Sequence, residues 1–312
     1  MKSRVLPTCL LTLLAACGGG GGGGGDDDGP GGGDSDGGGD PADDTDAGPD
    51  ADGFVPLLTV DWTLQPPDGP NPDKYWCASV TLTQDIIVTG FRSISPPGTH
   101  HLVVSIGAPD GADDPGFECE FFANHNALLF ASGVGTDDFL FPDGVGVRLV
   151  AGQQLFLNAH TFNASEETIS GASGVSVLKA DSVETEAEFT LAGPIFIGTQ
   201  IAGDGAPHEI SGTCTVGADG TILNWWPHMH QMGTHMKVSV EGDVVHDENF
   251  TFTEQINYPT ERQVQAGDQI DVTCTYVNDT GESVSWGDSS NNEMCFVGFY
   301  RYPKIGDAFC TD

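Results

Sequence analysis

Five histidines and one methionine stand out by type and spacing: the pair His100-His101, the later His160, the cluster His228-Met229-His230, and Met294 in the run Asn-Glu-Met-Cys. Imidazole and thioether are poor ligands for magnesium or calcium and good ones for copper passing between Cu(II) and Cu(I). A metal that changes oxidation state implies redox chemistry, so the first expectation is a copper oxidoreductase. Each piece alone says little. An isolated His-x-His is as readily a surface pair, and a methionine in an apolar run is ordinary core.

These donors must be carried by strands. Alternating or β-branched runs occur at 79–83, 86–91, 101–106, 154–157, 175–178, 236–240, 269–276 and 294–302, with Gly, Pro, Asn and Asp between them. That pattern favours an antiparallel β-sandwich over alternating strands and helices. Residues two apart on a strand share a face, which puts His228 and His230 on one side. It also groups Met294, Phe296, Gly298 and Tyr300, with Cys295 turned away. His100 and His101 are adjacent and would point to opposite faces unless the strand ends or twists there; Pro96-Pro97-Gly98 lies just upstream. His125, His208 and His246 sit in polar, turn-like contexts and read as solvated or hydrogen-bonded. His235 follows the His-x-His pair closely and is a candidate for supporting the ligands from behind.

No internal repeat is apparent. A boundary is expected where the strand at 175–178 gives way to the acidic run 184–188, giving β-sandwiches over 54–184 and 185–312. The first then holds His100, His101 and His160; the second holds His228, His230 and Met294.

Residues 1–53 are read as lying outside the fold. Lys2 and Arg4 precede an apolar stretch over residues 5–16, too short to span a bilayer and laid out as a secretory signal. It ends Leu14-Ala15-Ala16-Cys17, which resembles a bacterial lipobox and implies lipidation of Cys17 after cleavage of residues 1–16. Gly18 after that cysteine favours the outer membrane. A plain signal peptide is the alternative. Residues 17–53 are rich in Gly, Asp, Pro and Ala with no aromatic before Phe54, so they are expected to be a disordered tether.

Of the 46 acidic residues, 11 Asp lie between 26 and 52, leaving 35 acids against 8 bases from Phe54 onward. Such a domain repels nucleic acid phosphates and anionic lipid headgroups. Of the eight cysteines, Cys9 lies in the signal and Cys17 at the lipid position. The remaining six suggest three disulfides in an exported chain, and sequence alone does not choose their pairing.

Taken together, these residues resemble the copper type II, ascorbate-dependent monooxygenases, the family of peptidylglycine α-hydroxylating and dopamine β-monooxygenases. The resemblance runs from Tyr75-Trp76-Cys77 to Cys310, through His100-His101, the His160 segment, Ser173-Gly174-Val175-Ser176, His228-Met229-His230 and Glu293-Met294-Cys295. It implies two consecutive antiparallel, jelly-roll-like β-sandwiches with a solvent-filled cleft between two unlike coppers. By position, His100, His101 and His160 would hold an electron-storing copper. His228, His230 and Met294 would hold the catalytic copper, where dioxygen is activated. The resemblance also implies the disulfides Cys77–Cys119, Cys214–Cys310 and Cys274–Cys295, the last pinning the strand of Met294 to its neighbour. The activity implied is hydroxylation of a C–H bond of a small organic substrate, with ascorbate or another external reductant and two copper ions per chain. A lipid-anchored monomer with no nucleic acid partner is expected.

The chain departs from the peptide-amidating members at two positions. An Arg two residues before the His-x-His pair and a Tyr four past the Met hold the substrate carboxylate there; here Trp226 and Gly298 stand instead. Trp226, Phe296 and Tyr300 are therefore expected to line a cleft for an apolar or aromatic substrate. The competing expectation is a non-catalytic copper-binding or copper-delivery lipoprotein, for which Met229, Met232 and Met236 beside His228, His230 and His235 would suit Cu(I). A disulfide-braced interaction sandwich with accidental histidines is a third.

Overall fold

Alternating runs fold as strands throughout the computed structural model, which describes residues 49–66, 73–119, 127–163, 165–195, 200–287 and 291–310. The signal segment, Cys17, the tether up to residue 48, and His125 lie outside these residues. The described chain is all β, and each of the eight expected runs overlaps a strand. The tether was expected to reach Gly53, but its end is ordered. Asp50 accepts hydrogen bonds from the amides of Asp52 and Phe54. Arg92 pairs with Asp50, Asp52 and Asp138 while lying 4.0 Å over the Phe54 ring.

Four large sheets make two sandwiches. In the first, one sheet runs Val55–Leu64, Ile169–Ala180, Ile86–Ile94, Val145–Leu149 and Thr185–Glu186, with Phe139–Leu140 beside Ile86–Ile94. The facing sheet runs Asp114–Cys119, Asp73–Thr81, Gln154–Phe162, Thr99–Gly107 and Ala127–Gly133. In the second sandwich, one sheet runs Tyr258–Val264, Gly220–His228, Phe296–Tyr302, Glu188–Ala192 and Phe309–Cys310. Its partner runs Pro207–Thr215, Gln269–Val277, Gly233–Val240 and Asp243–Asn249. Pairing changes over between Thr185–Glu186, which joins the first sandwich, and Glu188–Ala192, which joins the second.

The second sandwich repeats the wiring of the first, a repeat the sequence did not disclose. The neighbour order Asp73–Thr81, Gln154–Phe162, Thr99–Gly107, Ala127–Gly133 recurs as Pro207–Thr215, Gln269–Val277, Gly233–Val240, Asp243–Asn249. The other sheets match in the same way. Local devices recur too. Asn163 Oδ1 accepts from the Ser165 amide and hydroxyl, and Asn278 Oδ1 accepts from the same groups of Thr280. Each sequence follows a strand, as Asn-x-Ser/Thr-x-Glu. Before those strands, Ala151-Gly152 and Ala266-Gly267 make matching turns, with the glycines at φ 84° and 95°.

The described residues fall within one compact unit, and the two sandwiches share a buried apolar layer. Phe91, Phe130, Phe139 and Phe141 from the first pack with Phe189, Trp226, Phe296 and Tyr300 from the second. Three disulfides brace the fold: Cys77–Cys119, Cys214–Cys310 and Cys274–Cys295, the pairing that the resemblance implies. Cys274–Cys295 does not tie neighbouring strands as expected. It crosses the second sandwich, joining Gln269–Val277 in one sheet to the residue just before Phe296–Tyr302 in the other.

Candidate metal centre

A strand irregularity solves the problem posed by His100 and His101. Against Gln154–Phe162, Thr99 stands opposite Thr161 and His101 opposite His160, so His100 is an extra residue, a β-bulge. The bulge breaks the alternation of faces and lets both rings turn to one side. His160 comes from the adjacent strand as the direct cross-strand partner of His101. Ring nitrogens of the three lie within 4.8 Å of one another, and Nδ1 of His100 is 3.0 Å from Nδ1 of His101. On the far side of His160, Tyr75 stacks face to face at 4.3 Å. Its strand neighbours fix it there, because Tyr75 is the register partner of both His160 and Cys119.

The second group forms where a strand ends. Gly220–His228 terminates at His228, and His230 lies in the turn that follows, with the two rings 5.2 Å apart. His228 is clamped between Trp226 at 5.3 Å and Phe296 at 4.6 Å. Its Nδ1–H donates to Gln255 Oε1 at 2.9 Å, which leaves the lone pair on Nε2. That Nε2 is buried and has no hydrogen-bond partner among the described residues. His230 Nδ1 donates to the Asn292 carbonyl at 3.1 Å, so its Nε2 is also the ligand-bearing nitrogen. Glu293 holds the turn, accepting from the His230 amide at 2.9 Å and the Met232 amide at 2.6 Å. Burial pushes the Glu293 carboxyl up to about 7 even against those donors.

Met294 lies between Glu293 and Phe296, buried in the same apolar cluster as Trp226. Its carbonyl accepts from Tyr276 Oη at 2.6 Å. The expected alternation holds here although the strand begins only at Phe296. Met294, Phe296 and Tyr300 belong to one core cluster, while Cys295, Val297 and Phe299 belong to the other.

The two groups adjoin. His101 and His228 are 6.4 Å apart by ring centroids, closer than the solvent-filled separation implied by the resemblance. Phe252 sits beside both, 4.5 Å from His100 and 6.2 Å from His230. Burial, then His230, lowers the pKa of His228 to about 3, and burial followed by the neighbouring imidazoles takes His101 well below the usual value. Neutral imidazole is the form that ligates a metal. A cluster of imidazoles that includes a buried Nε2 without a partner among the described residues fits copper in both common oxidation states.

Other expectations are corrected. Tyr300 does not line a cleft: it is buried between the sandwiches, its ring stacked on Phe91 and its hydroxyl donating to the Leu129 carbonyl at 2.6 Å. Its many ring partners leave it no path to a substrate. Trp226 and Phe296 are buried as well, and act as the clamp on His228. His235 is not behind the ligands; it pairs with Asp247 on the opposite sheet of the second sandwich. His208 pairs with Asp204, while His246 is buried edge-on to Tyr258 rather than solvated. Met229 and Met236 are fully buried in the second core, so they are not placed to capture Cu(I). Gln255, Asn292 and Phe252 were missed; none is near a ligand in a way that spacing discloses, apart from Asn292, two residues before Met294.

Comparison with known proteins accords with this geometry. The family described as copper type II ascorbate-dependent monooxygenase, C-terminal domain, matches residues 200–312. That match falls on the second sandwich, the part of the chain that carries His228, His230 and Met294. DBH-like monooxygenase protein 1 of Gallus gallus is 24% identical over 293 residues, covering 78% of this chain and 47% of that protein. The chain therefore spans about half the length of that relative. Among solved structures, PNGF-II is similar at TM-score 0.23 and 8% identity, over 83% of this chain and 63% of that one. Latent PorU of Porphyromonas gingivalis is similar at TM-score 0.19 and 10% identity, over 73% and 24%. At those scores the likeness says nothing about this site.

Proposed function

We propose that this protein is a copper-dependent monooxygenase that hydroxylates a C–H bond of a small organic substrate, using dioxygen and an external reductant such as ascorbate. The observation that carries this reading is the orphaned Nε2 of buried His228 beside His230, 6.4 Å by ring centroid from the convergent His100, His101 and His160 set. His100, His101 and His160 would hold one copper ion; His228, His230 and Met294 would hold the other. Copper there supplies the redox chemistry, in which one oxygen atom enters the substrate C–H bond and the other leaves as water, with two electrons and two protons from the reductant.

The chain's own residues prepare that chemistry. Gln255 and the Asn292 carbonyl each fix an imidazole with its Nε2 lone pair exposed to a ligand. Trp226 and Phe296 hold the His228 ring in plane and exclude water from its faces. Three neutral imidazoles suit an ion that stores an electron, and a thioether favours the reduced ion at the other position.

The substrate we propose is apolar or aromatic and lacks a terminal carboxylate. Trp226 and Gly298, which replace the cation and phenol of peptide-amidating members, are cross-strand partners. Indole and Phe189 fill the space over Gly298, leaving no charged group to receive a carboxylate. We further propose a monomer anchored in a bacterial outer membrane through lipidated Cys17.

The test is metal analysis with reductant-dependent oxygen uptake on the wild type and on Met294→Ala. Two coppers per chain and oxygen uptake are expected for the wild type. The variant should lose oxygen uptake while the three-imidazole set keeps its copper. Undiminished uptake in Met294→Ala, or one copper per chain with no uptake in the wild type, would overturn the reading.

A further inference from the structure

The connection that carries Gln255 also walls a separate cavity of about 110 Å³, lined among others by His246, Glu248, Phe250, Glu254, Gln255 and Tyr258. It lies outside both ligand groups. Its lining includes two carboxylates and no lysine or arginine, in a chain that is strongly acidic throughout. Unbalanced negative charge in a concave wall concentrates cations. The charge alone would mean little, because acidic clusters are common on surfaces. What sets this cavity apart is His246. It is only 7% exposed, it lines the cavity, and its imidazole makes no hydrogen bond among the described residues. Its unpartnered nitrogen is therefore free to meet whatever occupies the cavity.

The arrangement also selects the kind of cation. Among the described residues, only His100, His101 and His160 bring three such ligand atoms within 4.8 Å of one another. His246, Glu248 and Glu254 therefore do not converge on a single ion. They are spread around a volume large enough for a few heavy atoms, since a water molecule occupies about 30 Å³. Tyr258 packs edge-on to His246 at 4.5 Å, and Tyr258 and Phe250 supply aromatic surface of the kind that attracts organic cations. Burial, then Glu248 and Glu254, raise the Tyr258 pKa, which places both carboxylates within electrostatic reach of its phenol.

We propose that this cavity binds a small organic ammonium ion, an N–H donating to the unprotonated nitrogen of His246, its charge balanced at longer range by Glu248 and Glu254, its carbons against Phe250 and Tyr258. The occupant would touch Gln255, whose side chain holds His228, and Pro227, which precedes it. Binding here is thus placed to be felt at the second ligand group, but the assignment does not rest on the copper reading and holds for the metal-free protein.

The test uses metal-free protein and follows the His246 and Tyr258 ring resonances by NMR. Ethylammonium chloride is titrated against 1-propanol, a neutral molecule of similar size, and against calcium chloride. Saturable shifts with ethylammonium, at least five-fold weaker in Glu248→Gln and again in Glu254→Gln, are expected. Equal response to 1-propanol would make the cavity merely apolar and overturn the proposal. So would calcium shifting the same resonances as strongly, or no response to ethylammonium. The comparison of the three probes needs no variant, so a misfolded one would not leave the proposal without a test.

Discussion

Trp226 and Gly298 face each other across adjacent strands, and a Cβ at position 298 would stand 3.1 Å from the indole and 2.4 Å from the Phe189 ring. The glycine is therefore a packing requirement imposed by two aromatic side chains. The two departures from the peptide-amidating pattern are thereby one structural change rather than two.

Gly298→Ala is expected to cost roughly 1–3 kcal/mol, the usual penalty for forcing a methyl group into a packed layer. Because the closest atom belongs to Phe189, the loss should shrink in a Phe189→Leu background. Urea unfolding of the single and double variants measures both. Equal losses in the two backgrounds would mean that the backbone, and not the phenyl ring, sets the penalty.

Gln255→Leu removes the acceptor that orients His228. Partners of this kind typically change metal affinity by about 10–100-fold. Copper competition assays should show that loss in one of two binding events, with the other unaltered. Spectra of the retained copper should match three-imidazole coordination.

Acid should weaken the metal-free protein. Burial lowers the pKa of His246 and His101 and takes His228 to about 3. Below the ordinary imidazole value of about 6.5, the unfolded chain binds protons that the folded one refuses. Stability is thus full above that pH and lost as pH falls through it. For His228 the loss is about 1.4 kcal/mol by pH 5.5. Glu293, held near 7 by burial, works in the opposite sense between about pH 7 and 4.5, but it is one group against three. A lower urea midpoint at pH 5.5 than at 7.5 is expected, with a smaller difference in His246→Phe.

Replacing Cys274 and Cys295 together by alanine opens a bridge that closes a 21-residue separation and joins the two layers of the second sandwich. A loss of about 2–4 kcal/mol is expected from the freed unfolded chain. Guanidinium unfolding under non-reducing conditions measures it, with near-ultraviolet circular dichroism to check that the variant is folded.

Much of this architecture was legible because half-buried strands alternate. Gln269–Val277 reads exposed–buried almost without a break, and its alternation is plain in the sequence. Gly220–His228 lies outside the alternating runs, since nearly every residue in it is buried and Pro227 interrupts it. The donors themselves could be picked out by type. Their supporters could not, because Gln255 and Phe252 reach the imidazoles from a loop whose course depends on packing. The repeat escaped notice for a related reason. What the two halves share is turn chemistry, an Ala-Gly before a strand and an Asn-x-Ser/Thr-x-Glu after it, while the residues between serve different neighbours.

The irregularity at His100 belongs to that shared wiring. Opposite Gln269–Val277, Gly233 faces Tyr276 and His235 faces Thr275, so Thr234 bulges where His100 does and His235 occupies the place of His101. The kink that gathers imidazoles thus recurs where the three-imidazole set is absent: it comes with the scaffold. Between the sandwich equipped as a three-nitrogen cradle and its unequipped twin, the inventory of donors differs by two threonines, Thr234 and Thr275.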